Sequence, residues 1–398
     1  MTSPLPDRVV HVERARQSFG AARFDWLMSH MWKVDPLADD VIADFAERGR
    51  TGWQMLDEAL RRGVDAVEGA PEPLRALFAE LDEVPKWVDW DRIANAGRLF
   101  FRTGAPGGIV LGAKSLCYGY CSPGGNKPLT FTGRLEPANV NRRLAETGRF
   151  VMATCARDGL RRFGEGFMAT VRVRLMHAQV RRLLMSHPEW RSERWGLPIN
   201  QHDMLGTSLL FSQSFIEGVR QFGFAVSRRE ADDYLHLWRY SGHIIGVTPE
   251  LLPVSEPDAD VLADLILMTQ GEPDDDSKAL VEALVRSPEG APDSAEHPRR
   301  VQRQVALGYG FCRTLLGAEL ADQLDLPVTR WRHVIPAVSQ VVSRLEPFRR
   351  LIPRIDRAYV DAGRRYWNET VALGLGGIPA AFAAPGRLRG RPVRVATS

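Results

Sequence analysis

The sequence predicts an all-α fold, because apolar residues recur at helical intervals along most of its 398 residues. Within 164–186, for example, the apolar positions run from Phe167 to Leu183 at gaps of three to five, and Pro188 follows the run. Two further observations support this fold class. Alternating strand-like stretches are short and isolated, at 108–111 and 129–131, and the sequence shows no internal repeat and no β-α-β alternation.

Start and stop signals define the individual helices. Asp203 begins one predicted helix and Gly223 ends it, and Ser227 with Glu230 forms an S-x-x-E capping box for the next. The predicted helices of the central and C-terminal regions are 140–160, 164–186, 201–222, 228–245, 258–269, 277–285, 299–316 and 327–351. No linker divides the chain, so we expect one helical domain over 1–385, followed by a mobile basic tail at 386–398.

Composition and charge exclude several classes of function. With 52 basic and 49 acidic residues, the net charge of +3 provides no electrostatic footprint for nucleic acid or for an anionic membrane. The four cysteines lack C-x-x-C spacing and are too few for a disulfide framework, which favours reduced thiols. The first eleven residues contain no apolar signal region, and no stretch of eighteen apolar residues occurs. We therefore expect a cytoplasmic protein without a membrane span.

The nine histidines are the best guide to chemistry, because the sequence contains no H-E-x-x-H, nucleophile-elbow or phosphate-loop motif. His177 lies in mid-helix, with Arg174 three residues before it and Arg181 four residues after it. This face suits a macrocycle whose iron takes the imidazole and whose carboxylates pair with the guanidinium groups. It suits an exposed basic stripe equally well. His236 and His243 share another helix face. That arrangement could hold a metal ion, but it also suits packing against a core or a pocket, and we favour the packing interpretation.

Three separated motifs resemble one known family. They are residues 172–181 around His177, the stretch from Asn200 to Thr207 with Phe211, and the stretch from Tyr234 to Gly246. In this order they resemble the rubber oxygenases of the latex-clearing-protein type. They also resemble a wider oxygenase family that includes the membrane-bound enzyme cleaving a farnesyl chain in mycophenolic acid synthesis. The resemblance covers roughly 131–247 well and the flanks loosely.

The resemblance implies a large helical domain that encloses a haem b pocket, with a core reminiscent of globins. It implies that His177 is the axial ligand of the iron and that Arg174, Arg181 and Thr207 are cofactor-binding residues. The family's chemistry is cleavage of an isoprenoid carbon–carbon double bond by O2, which gives two carbonyl ends. The expected partners are thus O2 and an apolar substrate.

The resemblance also assigns a catalytic helix face. Rubber oxygenases carry an Arg-x-x-Lys-Thr pattern, and here Arg143 and Thr147 match it while Glu146 replaces the lysine. All three side chains project from one side of a helix. Glu146 is then a proton acceptor, a weak oxygen ligand or a salt-bridge partner of Arg142 or Arg143. The family's catalytic carboxylate has no counterpart that a motif identifies in this sequence.

The function that follows is a haem b-dependent oxygenase, dioxygenase-like, acting on a small lipophilic or unsaturated substrate. A cytoplasmic location makes polymeric rubber itself an unsuitable substrate. Two other classes of function stay open at this point: a haem-binding sensor or carrier without turnover, and a haem-free helical scaffold. The colour of the purified protein distinguishes the last from the others, and O2 consumption with an olefin distinguishes the first two.

Overall fold

The computed structural model describes residues 4–133, 140–291, 294–380 and 382, and within these ranges the fold is all-helical, as predicted. No β-strand occurs in the described ranges, where one isolated antiparallel bridge joins Val9 to Gln270. No helix in these ranges has both the length and the apolar character needed to cross a bilayer. The predicted tail at 386–398 lies outside the described residues, as does the predicted domain boundary at 385.

The helices fall into two halves of the chain. The first half contains α1 (Val12–Phe19), α2 (Ala21–Ser29), α3 (Pro36–Arg48), α4 (Arg50–Arg62), α5 (Glu72–Asp82), α6 (Trp90–Val110), α7 (Cys117–Tyr120), α8 (Lys127–Phe131), α9 (Val140–Cys155) and α10 (Glu165–Met185). The second half contains α11 (Ser192–Trp195), α12 (Gln201–Phe211), α13 (Gln213–Gln221), α14 (Arg228–Ile244), α15 (Glu256–Thr269), α16 (Asp275–Val285), α17 (Pro298–Leu316), α18 (Ala318–Gln323), α19 (Val334–Leu351) and α20 (Pro353–Leu375). Short 3₁₀ turns occupy His30–Trp32, Val64–Ala66, Pro249–Leu251, Ser287–Gly290 and Arg330–His333.

Most of the predicted helices are present within a few residues of their expected bounds. Ser227 and Glu230 form the predicted capping box at the start of α14, each accepting a hydrogen bond from the backbone of the other. One predicted helix, 201–222, is instead two. The backbone leaves the helical region at Ser212 (φ −107°, ψ −84°), between α12 and α13. No proline or glycine occurs between 207 and 217, so the sequence contains no stop signal for this break.

The two strand predictions are wrong. Residues 108–111 form the end of α6 and the start of the segment after it, and 129–131 belong to α8. A short apolar run has the same appearance in a buried strand and in a buried helix, and these runs are too short for periodicity to separate the two.

The segment between α6 and α7, Leu111–Leu116, is a π-helix. Its wider turn accommodates one more residue than an α-helical turn, and such segments are frequent at functional sites. Lys114 in this segment is fully buried, donates to the carbonyl of Leu315 at 3.1 Å and pairs with Glu217 at 3.2 Å. These contacts direct the lysine towards α13 and α17, and its neighbour Ser115 is fully buried as well.

The crossing of α6 and α20 depends on two glycines. The backbone of Gly104 has φ 47° and ψ −126°, which interrupts α6 two residues before Pro106. At this break α20 approaches so closely that a Cβ on Gly363 would lie 1.6 Å from the carbonyl oxygen of Phe101. The two helices therefore touch backbone to backbone, and α20 is held against the centre of the molecule.

We predict that Gly363→Ala destabilises the fold by about 2–3 kcal/mol or more, because two backbones must move apart to admit one methyl group. Gly112→Ala is the matched control, since a Cβ at Gly112 meets nothing within 4 Å. That variant should be neutral or slightly stabilised. Urea unfolding followed by circular dichroism measures both, and equal midpoints for the two variants would contradict the close crossing.

Candidate active site

A cavity of about 300 Å³ lies in the middle of the fold, enclosed by α7, α8, α9, α10, α12, α14 and the π-helical segment. This volume is at the lower end of the range for pockets that hold small molecules. Its walls are largely apolar, with side chains that include Leu129, Leu144, Phe150, Val173, Phe211 and Trp238. A ligand in this cavity is surrounded by hydrocarbon, apart from a few polar groups whose positions are therefore informative.

His177 is one of these polar groups. It lines the cavity from the middle of α10, together with Val173, Met176 and Val180. Each of these positions is three or four residues from two others of the set, so they form one continuous face of the helix. The imidazole that the sequence singles out therefore faces the cavity.

The two arginines of α10 have a different environment. Arg174 makes a two-pronged ion pair with Asp35, the N-cap residue of α3, at 2.7 and 2.9 Å, and a second pair with Glu80 of α5 at 2.7 Å. Arg181 binds Asp39 of α3 at 2.8 Å. Both arginine side chains are buried, and neither is among the residues that line the cavity. The structure thus places both guanidinium groups on the α3 side of the helix, where they bind carboxylates of this chain.

The predicted catalytic face of α9 lies on the cavity, because Arg143, Glu146 and Thr147 all line it. The Nη1 atom of Arg143 is buried and has no hydrogen-bond partner among the described residues. Burial lowers the pKa of Arg143, while Tyr120 and Glu146 oppose that shift. Glu146 also pairs with Arg142 at 3.2 Å. The Glu146 carboxylate therefore forms one of the salt bridges that the sequence offered as alternatives. The residue also lines the cavity.

The α12 wall contributes Thr207 and Asp203. The Thr207 hydroxyl donates to the backbone carbonyl of Asp203 at 2.9 Å. The Asp203 carboxylate pairs with Arg8 at 2.8 Å and lies 3.2 Å from Nδ1 of His202. Burial lowers the pKa of His202, and its ring faces a smaller neighbouring cavity of about 130 Å³. Thr207 and His177 therefore share the main cavity, and His202 lies outside it.

His236 and His243 lie in the packing between α14 and the loop before α6. Nε2 of His236 accepts a hydrogen bond from the backbone amide of Asp89 at 3.0 Å, and its ring meets Trp87 edge to face. Burial and then the nearby Arg92 lower the pKa of His236 to about 4. Among the described residues, no group of three or more His, Cys, Asp or Glu side chains is arranged to hold a metal ion. The contacts of His236 agree with the packing interpretation of this pair.

Sequence reasoning missed Ser115 and Phe382, which also line the cavity. Ser115 projects from the π-helical segment, and its buried Oγ has no hydrogen-bond partner among the described residues. Neither residue has a detectable signal in the sequence. Ser115 follows a run interpreted as strand-like, and its direction depends on the wide π turn.

The fold and this site define an all-helical protein with a largely apolar central cavity, and the comparison with known proteins identifies its family. The catalytic domain described as "ER-bound oxygenase mpaB/B'/Rubber oxygenase" matches residues 101–351, which is more than half of the chain. The chain belongs to this family. The matched region contains every residue that lines the cavity except Phe382.

Two relatives illustrate the range of the likeness. A rubber oxygenase from Streptomyces sp. (strain K30) is 25% identical over 307 residues, which cover 75% of this chain and 71% of that protein. The structure of latex clearing protein LCP in the closed state aligns with a TM-score of 0.67 and 23% identity, over 85% of this chain and 91% of the other. The second likeness supports the all-helical fold.

We predict that Arg174→Ala destabilises the protein by about 3–5 kcal/mol, because Asp35 is left buried without its cation. Arg182→Ala is the matched control on the same helix, where the side chain is exposed, and it should cost no more than about 0.5 kcal/mol. Urea unfolding before and after addition of hemin measures both variants. A loss that appears only in the hemin-treated protein would show that Arg174 acts on the cofactor instead.

Proposed function

We propose that this protein is a haem b-dependent oxygenase that cleaves a carbon–carbon double bond of a small lipophilic substrate with O2. One observation supports this above all others. A single cavity is lined by predicted site residues from three helices: Arg143 and Thr147 on α9, His177 on α10 and Thr207 on α12. Because the chain belongs to an oxygenase family, oxygenation is the reaction that we propose for this cavity.

The donor groups of the cavity fit haem b and O2. An imidazole nitrogen is a common axial ligand of haem iron, and His177 is the histidine that lines the main cavity within the described residues. The buried Nη1 of Arg143 and Oγ of Ser115 have no acceptor in the described part of the chain. Buried donors without acceptors are costly, so this cavity suits a ligand that accepts hydrogen bonds. Haem b, when bound, supplies the iron that activates O2.

The chain's own side chains then position and polarise the reactants. Arg143 and Thr147 are directed to the cavity as hydrogen-bond donors for O2, whose oxygen atoms gain negative charge as the reaction proceeds. Glu146 acts as a proton acceptor at its carboxylate, and its ion pair with Arg142 fixes the position of that group. Arg174 and Arg181 hold α10 through their carboxylate partners, which keeps His177 directed inwards.

The apolar walls favour a hydrocarbon substrate and exclude water from it. In the proposed reaction the substrate C=C bond and the O–O bond break, and two C=O bonds form. Both oxygen atoms enter the products, so the reaction balances without an external electron donor.

We predict that the purified protein, or the protein after addition of hemin, shows a Soret absorption band that His177→Ala weakens or abolishes. His202→Ala is the control, because this histidine is buried but faces the smaller cavity. If His177→Ala keeps an unchanged spectrum while His202→Ala or His236→Ala loses haem, the ligand assignment is wrong. A Soret band without O2 consumption in the presence of any olefin would indicate a haem-binding sensor or carrier. A protein that takes up no haem would be a helical scaffold.

We predict that Arg143→Ala and Thr147→Ala each reduce turnover by roughly 10²–10³, the typical effect of removing one donor aimed at developing charge. The haem content of the ferric protein should stay largely unchanged, because neither side chain is the iron ligand. Arg149→Ala on the same helix is the control, since Arg149 pairs with Glu165 and does not line the main cavity. An O2 electrode with a fixed olefin measures the rates. Equal losses for Arg143→Ala and Arg149→Ala would reject the role of Arg143.

A further inference from the structure

Helix α19 presents an apolar stripe to solvent. Val341, Leu345 and Phe348 lie at i, i+4 and i+7, so they share one side of the helix, and they are 56%, 48% and 59% exposed. Leu351 and Ile352, 79% and 43% exposed, continue the stripe at the corner that leads into α20. These five residues are called the α19 face below. A contiguous exposed stripe of large apolar residues marks a binding surface.

The exposed charged side chains within 328–357, the stretch that contains the α19 face, are of one sign. The acidic residues of 328–357 are Glu346 and Asp356, and both pair with Arg349, at 2.8 and 2.7 Å, on the inner side of the helices. No exposed arginine of 328–357 forms an ion pair with a described residue. The exposed ionisable side chains of this stretch are all basic: Arg330, Arg332, His333, Arg344, Arg350, Arg354 and Arg357.

We propose that the α19 face docks the protein on an anionic lipid bilayer, with its apolar side chains in the interface and its arginines against lipid phosphates. A helix with an apolar stripe bordered by basic residues is the usual form of an interfacial membrane-binding helix. The anionic surface supplies the charge that the exposed arginines lack within the protein. The proposal does not depend on haem or on the oxygenase reaction.

Charge excludes two other occupants of this surface. A second copy of the chain related by a twofold axis would place the basic rims against each other, which is repulsive. The chain segment 386–398 contains four arginines and no acidic residue, so it too has the wrong sign. An anionic bilayer matches both the apolar stripe and the charge. The net charge of +3 predicted no such footprint, because it averages over acidic residues elsewhere on the surface.

Co-sedimentation of the full chain with vesicles tests the proposal. We expect binding to phosphatidylglycerol–phosphatidylcholine vesicles, weaker binding as salt rises, and little binding to phosphatidylcholine alone. Leu345→Ser with Phe348→Ser should reduce the partition coefficient at least about tenfold, since two large apolar side chains leave the interface. Arg344→Gln with Arg354→Gln should reduce its salt dependence.

Exposed apolar residues elsewhere provide the control. Met185→Ser with Val254→Ser, at positions 53% and 61% exposed, should leave vesicle binding unchanged, and His177→Ala should bind as well as the unaltered chain. Binding to neither kind of vesicle would overturn the proposal, as would equal losses in the control variant. So would sedimentation data showing a dimer that Phe348→Ser converts to a monomer, because a second copy would then cover the α19 face.

Discussion

The rotation of α10 about its own axis is the constraint on which the site depends. Because α10 is buried around most of its circumference, its apolar pattern alone does not decide which side faces the cavity. The ion pairs of Arg174 with Asp35 and of Arg181 with Asp39 decide it, since both guanidinium groups must reach the carboxylates of α3. A buried cation has few alternatives to its partner. His177, on the adjoining side, is thereby directed into the cavity.

This arrangement explains what sequence reasoning could and could not achieve. The helices, the capping box of α14 and the shared face of Arg143, Glu146 and Thr147 are local properties, set by residues within one or two turns. The partner of Arg174 lies 139 residues away, so no local pattern indicates that its guanidinium group binds Asp35. The sequence singled out His177, which lines the cavity, but the chain's own carboxylates determine what the neighbouring arginines bind.

The net charge of the whole chain likewise gave no indication of the α19 face. A net charge of +3 over 398 residues describes a nearly neutral protein, yet folding pairs the two acids of 328–357 with Arg349 and leaves the other arginines of that stretch exposed. An apolar substrate partitions into membranes, so a protein that rests on a bilayer meets it at a higher concentration than in water. The cavity and the α19 face are separate features, and both present mainly apolar side chains.

Because the segment Leu111–Leu116 is a π-helix, the lining of the cavity depends on the number of residues in this segment. A π-helical turn holds more residues than an α-helical turn, so removing one residue here would convert the wide turn to an α-helical one. The contact of Lys114 with the Leu315 carbonyl and the position of Ser115 on the cavity wall both depend on this wide turn. A change of chain length in this short segment would thus alter the cavity lining without any change of side-chain type elsewhere.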